Sequence, residues 1–391
     1  MRIVHIITRL IIGGAQENTL ITCEGLAKAG HEVTLVTGPA LGPEGQLLDR
    51  TKAQPYRTIV LPQMRRQISP WRDAVAYIQL CRLLRSLRPH IVHSHSAKAG
   101  ILGRLAAFRT SPRPCIIHTI HGLPFHPYQP CWLNWLYIWL ERRAARWTDA
   151  FITVADAMAR QSRQAGIGLD KPYITIYSAI AEEGFYRQVP QGQVLQFRRS
   201  LGIPQDAVVL VTVARLFALK GHDFIIQSAQ ALAPRFPHAM WLFVGDGNLA
   251  GYYKRLIDRL GLSDRFRFTG LLPPSEIPLV IQASDILVHC SLREGLARAI
   301  PQAMLCRRPV VAFDLDGTAE MVGPQTGRLV RPGDLQGLTA ACAELIADPG
   351  LRVQLGQQGW VRIQGLFEPG LMVSRIETVY KQLAGPILAC Q

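Results

Sequence analysis

The stretch "DAVVLVTVARL", residues 206–216, decides the fold. It is a β-branched strand pattern ending at a cation, and it restarts a series that had stopped. Upstream, "YSAIAEEGFYRQVPQGQ" (177–193) is polar and turn-rich and fits no periodic element. Before that break the chain alternates. "RIVHIITRL" (2–10), "EVTLVTG" (32–38), "IVHSHS" (91–96), "PCIIHTIHG" (114–122) and "DAFITVA" (149–155) read as strands. Helical spacing follows a glycine pair in "IIGGAQENTLITCEGLAKAGH" (11–31) and recurs at 69–90 and 97–108. After the break come "HAMWLFVGDG" (238–247), "RFRFTG" (265–270), "DILVHCS" (285–291), "RPVVAFDLDG" (308–317) and "TGRLVRPGD" (326–334). Strands alternating with helices imply parallel sheets covered on both faces. The reading is therefore α/β, two doubly wound halves joined by a linker near residues 180–200, with a last helix, "GLMVSRIETVYKQLAG", free to cap either.

Composition agrees. A chain of 391 residues exceeds one ordinary core. Its 48% apolar and 18% charged content is that of a globular protein. No run approaches the ~18 apolar residues a spanning helix needs, and "MRIVHIITRL" does not read as a signal peptide. The eight cysteines, Cys390 among them, form no C-x-x-C pair, against a zinc site or a disulfide framework, so a cytoplasmic location is expected. Net charge is +15, with 22 basic against 12 acidic residues up to Glu183 and 21 against 16 beyond it. That first-half excess suggests an anionic surface or substrate there.

In open α/β sheets ligands gather beyond the carboxyl ends of the strands, and the candidate residues stand there. Gly13 and Gly14 follow the first strand, where glycine lets backbone amides approach an anion. Arg215 and Lys220, in "VARLFALKGH", could grip a diphosphate from two sides, although a solvated loop reads the same way. His93, His95, His118 and His121 end strands, where a neutral imidazole can bond a sugar hydroxyl or relay a proton. Lys98 opens the helix after "IVHSHS". No carboxylate lies near the H-x-H pair in sequence, so a metal is not expected there. "DLDG" (314–317) resembles a D-x-D clamp but reads better as a strand-to-helix turn. In "SLREGLARAIPQAML" (291–305), Glu294 stands at a turn into a helix and Gln302 about two helical turns on. The amides of Gly295, Leu296 and Ala297 would point at an anion held there.

These motifs, with "HSHSAKAGILGRLAA", "HTIHGLPFH", "FVGDG" and "PVVAFDLDGTAEMV" in order along nearly the whole chain, resemble the family 4 retaining glycosyltransferases. The resemblance implies the GT-B architecture: two Rossmann-like doubly wound parallel-sheet domains facing a central cleft. It implies an acceptor-side domain over 1–185, a nucleotide-sugar domain over 186–370, and a terminal helix, 371–391, crossing back to the first. By motif, Gly14 would approach the donor phosphates, Arg215 and Lys220 would hold the diphosphate, and His121 and Glu294 would contact the donor sugar. The chain departs from the family at three positions. Gln302 replaces the second glutamate, which binds the ribose; Asp316 replaces the first of two glycines; Ala179 stands where glycine is usual. A glutamine still bonds a ribose hydroxyl but loses the charge-assisted bond.

The expected activity is retaining transfer of a sugar from a nucleotide-diphosphate sugar to a hydroxyl, with the leaving diphosphate stabilised by fixed cations and no metal or other cofactor. Activity in EDTA is expected. "YQPCWLNWLYIWLERRAARW" (128–147) sets Trp132, Trp135 and Trp139 beside Arg142, Arg143 and Arg146. This pattern suits an anionic bilayer, and with it a lipid-linked or cell-surface glycan acceptor at the inner face of the membrane; packing into the core or a dimer contact would use the same residues. The alternatives are a nucleotide-sugar epimerase or phosphorylase on the same fold and a non-catalytic carbohydrate-binding protein. No pattern supports nucleic acid as a partner.

Overall fold

The computed structural model describes residues 1–41 and 47–388. The chain divides into two compact units, Met1–Ala181 with Leu366–Gln391, and Glu182–Gly365. Sequence reading put the changeovers at 185/186 and 370/371. The C-terminal segment belongs to the first unit; its Cys390 lies outside the described residues.

The first unit runs β1 (Arg2–Arg9), α1 (Gly14–Lys28), β2 (Glu32–Gly38), β3 (Arg57–Val60), α2 (Pro70–Leu87), β4 (Ile91–His95), α3 (Ala97–Phe108), β5 (Cys115–Ile120), α4 (Cys131–Ala145), β6 (Ala150–Thr153), α5 (Asp156–Gln164) and β7 (Tyr173–Thr175). Its sheet has seven parallel strands in the order β3-β2-β1-β4-β5-β6-β7. The central strands β1, β4 and β5 are buried almost throughout; β1 and β5 are mostly apolar, as strands covered on both faces are, whereas β4, IVHSH, buries polar side chains that are hydrogen-bonded. The two strands that sequence reading missed, β3 and β7, are four and three residues long and form the edges of the sheet. An edge strand has one covered flank, so its sequence carries a weaker pattern.

The second unit runs α6 (Gln191–Ser200), β8 (Val208–Val213), α7 (His222–Leu232), β9 (Ala239–Val244), α8 (Ala250–Arg259), β10 (Phe266–Gly270), α9 (Ile277–Gln282), β11 (Ile286–His289), α10 (Ala299–Leu305), β12 (Val310–Phe313), α11 (Thr318–Met321), β13 (Gly327–Val330), α12 (Leu335–Ala347) and α13 (Pro349–Ile363). Six parallel strands pair in the order β10-β9-β8-β11-β12-β13. This is the doubly wound dinucleotide-fold order, with its switch point between β8 and β11. In the first unit the corresponding switch lies between β1 and β4.

The last helix, α14 (Pro369–Leu388), packs on α1. It buries Met372, Ile376, Val379, Tyr380 and Ala384, a helical stripe, in the core formed by Ile3, Ile7, Ile91 and Ile117. The opposite face of the same sheet is covered by α2 and α3 through Leu80, Leu84 and Ala106. On that face the buried Arg104 of α3 bonds Glu141 of α4 at 2.7 Å, which fixes α4.

Candidate active site

Gly13, Gly14, His95, Lys98 and His121 belong to the first unit; Arg215, Lys220, Glu294, Gly295, Leu296, Ala297 and Gln302 belong to the second. In the second unit the strand order carries two loops to the switch point. After β8 the chain turns through Leu219 and Gly221, both with positive φ, into α7. A Cβ on Gly221 would lie 1.9 Å from the Cys290 carbonyl oxygen, so only glycine fits that turn. The loop after β11 packs against it: Leu292 N–H donates to Leu219 O at 2.8 Å. Lys220 and Glu294, 74 residues apart, thereby form an ion pair. His289 Nε2 stands 3.4 Å from Glu294 Oε1, a long contact and not a formed hydrogen bond. Burial pushes the Glu294 carboxyl up, but the Lys220 ammonium foremost, and then His289, outweigh it and hold the group well below the usual carboxylate range. Glu294 is therefore an ionised acceptor throughout the neutral range.

Asp316 explains one departure from the family pattern. It sits in the turn after β12 with φ 52°, a conformation open to Asp as well as Gly, and its carboxylate accepts the Glu294 N–H at 2.8 Å. "DLDG" is thus a turn that buttresses the glutamate: Gly317 N–H also donates to Gly295 O, at 3.1 Å. Gly295, Leu296 and Ala297 form the loop between Glu294 and α10, and Gln302 lies within α10. The Gln302 amide has no hydrogen-bond partner among the described residues and is partly exposed. Arg215 is exposed at the strand end, its guanidinium 5.1 Å from the Phe217 ring.

In the first unit Gly13 caps α1 in extended backbone, and Glu17 N–H donates to its carbonyl at 3.0 Å. Lys98 is engaged in an ion pair with Asp73, 2.7 Å away. His95 is fully buried, and both ring nitrogens are taken: Nε2 lies 3.0 Å from His5 Nδ1 and Nδ1 lies 3.1 Å from His121 Nε2. His95 therefore has no ring nitrogen left for a ligand, and His121 is the partly exposed member of the pair. His93 bonds Tyr380 and Thr119, and His118 turns to the opposite face toward Ser94. His5, Thr119 and Tyr380 were not singled out from sequence. The first was within reach, since the β1–β4 register sets His5 beside His93. Nothing in the sequence links Tyr380 to them. His5, His93 and His95 stand close enough to share a metal ion. Three imidazoles can bind zinc, but every ring nitrogen of His5, His93 and His95 already has a hydrogen-bond partner, among them His121, Tyr380 and Thr119, so an ion there would have to displace those bonds.

The pattern that defines the glycosyl transferases group 1 matches residues 194–361, and that of the glycosyl transferase 4-like domain matches residues 13–174. The chain belongs to the family 4 glycosyltransferases. Over 363 residues it is 27% identical to the Escherichia coli UDP-Gal:alpha-D-GlcNAc-diphosphoundecaprenol alpha-1,3-galactosyltransferase, covering 90% of each chain. It is 29% identical to the 2-deoxystreptamine N-acetyl-D-glucosaminyltransferase of Streptomyces fradiae, covering 86% of this chain and 83% of that one. Among solved structures, Anabaena HepE in complex with UDP superposes with a TM-score of 0.81 at 22% identity, over 98% of this glycosyltransferase and 100% of that chain. The glycosyltransferase thus has the GT-B fold that its motifs implied. It transfers a sugar from a nucleotide-sugar donor, and the retaining course is that of its family.

Proposed function

We propose that this glycosyltransferase extends a lipid-linked acceptor at an anionic membrane surface, taking its sugar from a UDP-sugar. The observation that carries the membrane half is the exposed surface of the first unit. Trp132 and Trp135 are both 67% exposed and Trp139 is 47% exposed, so these α4 side chains do not serve the core. Their i, i+3, i+7 spacing places them on one helical stripe. Trp71, 78% exposed, and Ile68, 75% exposed, stand at the start of α2. Both helices contact α3, and both begin where a parallel strand ends, so the aromatic groups share the carboxyl-end edge of the sheet. Arg142, Arg143 and Arg146 are exposed at the far end of α4. Trp139 lies one helical turn from Arg142 and Arg143, so α4 carries indole rings along one stripe and guanidinium groups at its end, a combination that matches the interface of a bilayer with acidic headgroups. No described helix is long and apolar enough to cross a membrane, so attachment would be peripheral. The E. coli relative named for a diphosphoundecaprenol acceptor, and the UDP in the HepE structure, support the choice of acceptor and donor.

In this reading, Lys220 and Arg215 neutralise the departing diphosphate, and Glu294, kept ionised by Lys220, accepts hydroxyl groups of the donor sugar. By the family resemblance His121 would bond the donor sugar, and the free amide of Gln302 would take the ribose. Flotation with phosphatidylglycerol vesicles against phosphatidylcholine vesicles tests the surface. The wild type should rise with the anionic vesicles and be released by salt, and Trp132→Ala/Trp135→Ala should stay at the bottom. Wild-type protein that remains at the bottom with both compositions would refute the membrane reading.

A further inference from the structure

Four histidines, a tyrosine and a threonine form one continuous hydrogen-bonded string inside the first unit. It runs His121 Nε2 to His95 Nδ1 (3.1 Å), His95 Nε2 to His5 Nδ1 (3.0 Å), His5 Nε2 to the Tyr380 hydroxyl (3.3 Å), that hydroxyl to His93 Nδ1 (2.5 Å), and His93 Nε2 to Thr119 Oγ1 (2.6 Å). His5, His93, His95, Thr119 and Tyr380 are buried, at 3% exposure or less. We propose that this string fixes the tautomer of His121, so that its Nδ1 carries the proton and points a single, permanent donor at the ligand; the catalytic consequence rests on the reading above, in which His121 meets the donor sugar.

The argument is a count of hydrogens. A neutral imidazole has one N–H and one bare nitrogen, so a ring bonded on both sides donates on one and accepts on the other. The tyrosine hydroxyl, bonded on both sides, does the same. All five links must therefore point one way, and the string has two states. In the inward state each ring donates toward Thr119, and the threonine hydrogen is left without an acceptor, since Oγ1 has no other partner among the described residues. In the outward state that hydrogen goes to His93 Nε2, His93 Nδ1–H to Tyr380, Tyr380 to His5 Nε2, His5 Nδ1–H to His95, and His95 Nδ1–H to His121 Nε2. Every buried hydrogen is then used. A buried donor without an acceptor is among the costliest defects in a protein, so the outward state wins. Burial keeps the four rings neutral, which the count requires: His5 is lowered to about 3, His121 to about 4, and His93 and His95 well below the ordinary histidine value. His121 Nδ1 has no partner among the described residues, which leaves its N–H for a ligand oxygen. His95, His5, Tyr380, His93 and Thr119 are on this account positioning residues, and the C-terminal helix reaches the site through Tyr380.

Long-range proton–nitrogen correlation spectra of the full chain with 15N-labelled histidine test the string without any mutation. His121 should appear as one tautomer, protonated on Nδ1 and bare on Nε2. All four rings of the string should share that tautomer, protonated on Nδ1. His95→Phe cuts the string beside His121 and leaves both nitrogens of that partly exposed ring without a protein partner. His121 should then populate both tautomers, and kcat should fall in proportion to the lost Nδ1–H fraction, about twofold for equal populations, with KM unchanged. His95→Gln, whose amide can donate to His121 Nε2, should restore both spectrum and rate. The string is refuted by any of the four wild-type rings protonated on Nε2, by a single unchanged His121 tautomer in His95→Phe, or by a stoichiometric metal ion bound at His5, His93 and His95 in the purified protein. The role of His121 is tested separately by His121→Phe, which should lower kcat by at least tenfold; full turnover in that variant overturns the sugar contact while leaving the spectroscopic result intact.

Discussion

Mild acid should unfold the first unit well before the second. The perturbation is a drop from pH 7.5 to 5.5. In the first unit burial holds five histidines neutral: His5 is lowered to about 3, His121 to about 4, and His93, His95 and His118 lie well below the ordinary value. The second unit has one such residue, His222, lowered to about 3 by burial. A depressed histidine pKa means that the unfolded chain binds the proton first. The stability it represents is full above the unfolded value of 6.5 and declines as pH falls from there toward the folded value. Over this interval the unfolded imidazole goes from about one-tenth to about nine-tenths protonated, while the folded ring stays neutral. The loss is about 1.4 kcal/mol per histidine, whatever the folded value, provided that it lies well below 5.5. The first unit then loses about 7 kcal/mol, a large part of a domain's usual stability, and the second about 1.4 kcal/mol. Carboxylates add little, because they titrate below the interval. Calorimetry at the two pH values, with hydrogen exchange to assign each transition, should show the first unit's melting temperature falling by roughly 20 °C and the second's by roughly 4 °C. Equal shifts in both units would mean that the clustered histidines carry charge when folded, and the reasoning would fail.

Gln302→Glu should tighten binding of the donor nucleotide by about 1–2 kcal/mol, read by calorimetry, because it replaces a neutral hydrogen bond to the ribose with a charge-assisted one; unchanged or weaker binding would place the amide away from the ribose. Lys220→Met strips Glu294 of its counter-charge, so kcat should drop by two to three orders of magnitude through lost stabilisation of the leaving diphosphate, and the Glu294 carboxyl should titrate at a higher pH than in the wild type. Turnover near the wild-type rate would remove Lys220 from the mechanism. Gly221→Ala puts a methyl group 1.9 Å from the Cys290 carbonyl oxygen at a φ of +75°, so chemical denaturation should show the second unit destabilised by roughly 2–3 kcal/mol; a variant as stable as wild type would show that this turn relaxes freely.

Most of the sheet was legible because its central strands are short apolar runs between turn signals, and "DAVVLVTVARL" falls on β8. The edges were not, because β3 and β7 pack on one flank and carry "RTIV" and "YIT". Lys220 and Glu294 were legible as strand-end charges, whereas their pairing was not, since it depends on β8 and β11 lying side by side. "DLDG" was legible as a turn, and only the fold showed Asp316 bonding the Glu294 amide. The α4 tryptophans could have been core or surface by sequence; the Arg104–Glu141 pair and the packing of α3 leave them outward.

The sequence by itself determined the alternation of strands and helices, the break between two halves and the residue types at the strand ends, because these are properties of local periodicity and turn chemistry. Tertiary structure decided which of those residues meet. His5, His93, His95 and Thr119 become neighbours through strand register, and Tyr380 joins them only because the last helix packs on the first unit. Contacts across 287 residues leave no trace in a periodic pattern. They exist because burying the apolar stripe of α14 against the sheet brings one hydroxyl among four imidazoles, where each hydrogen has to find an acceptor.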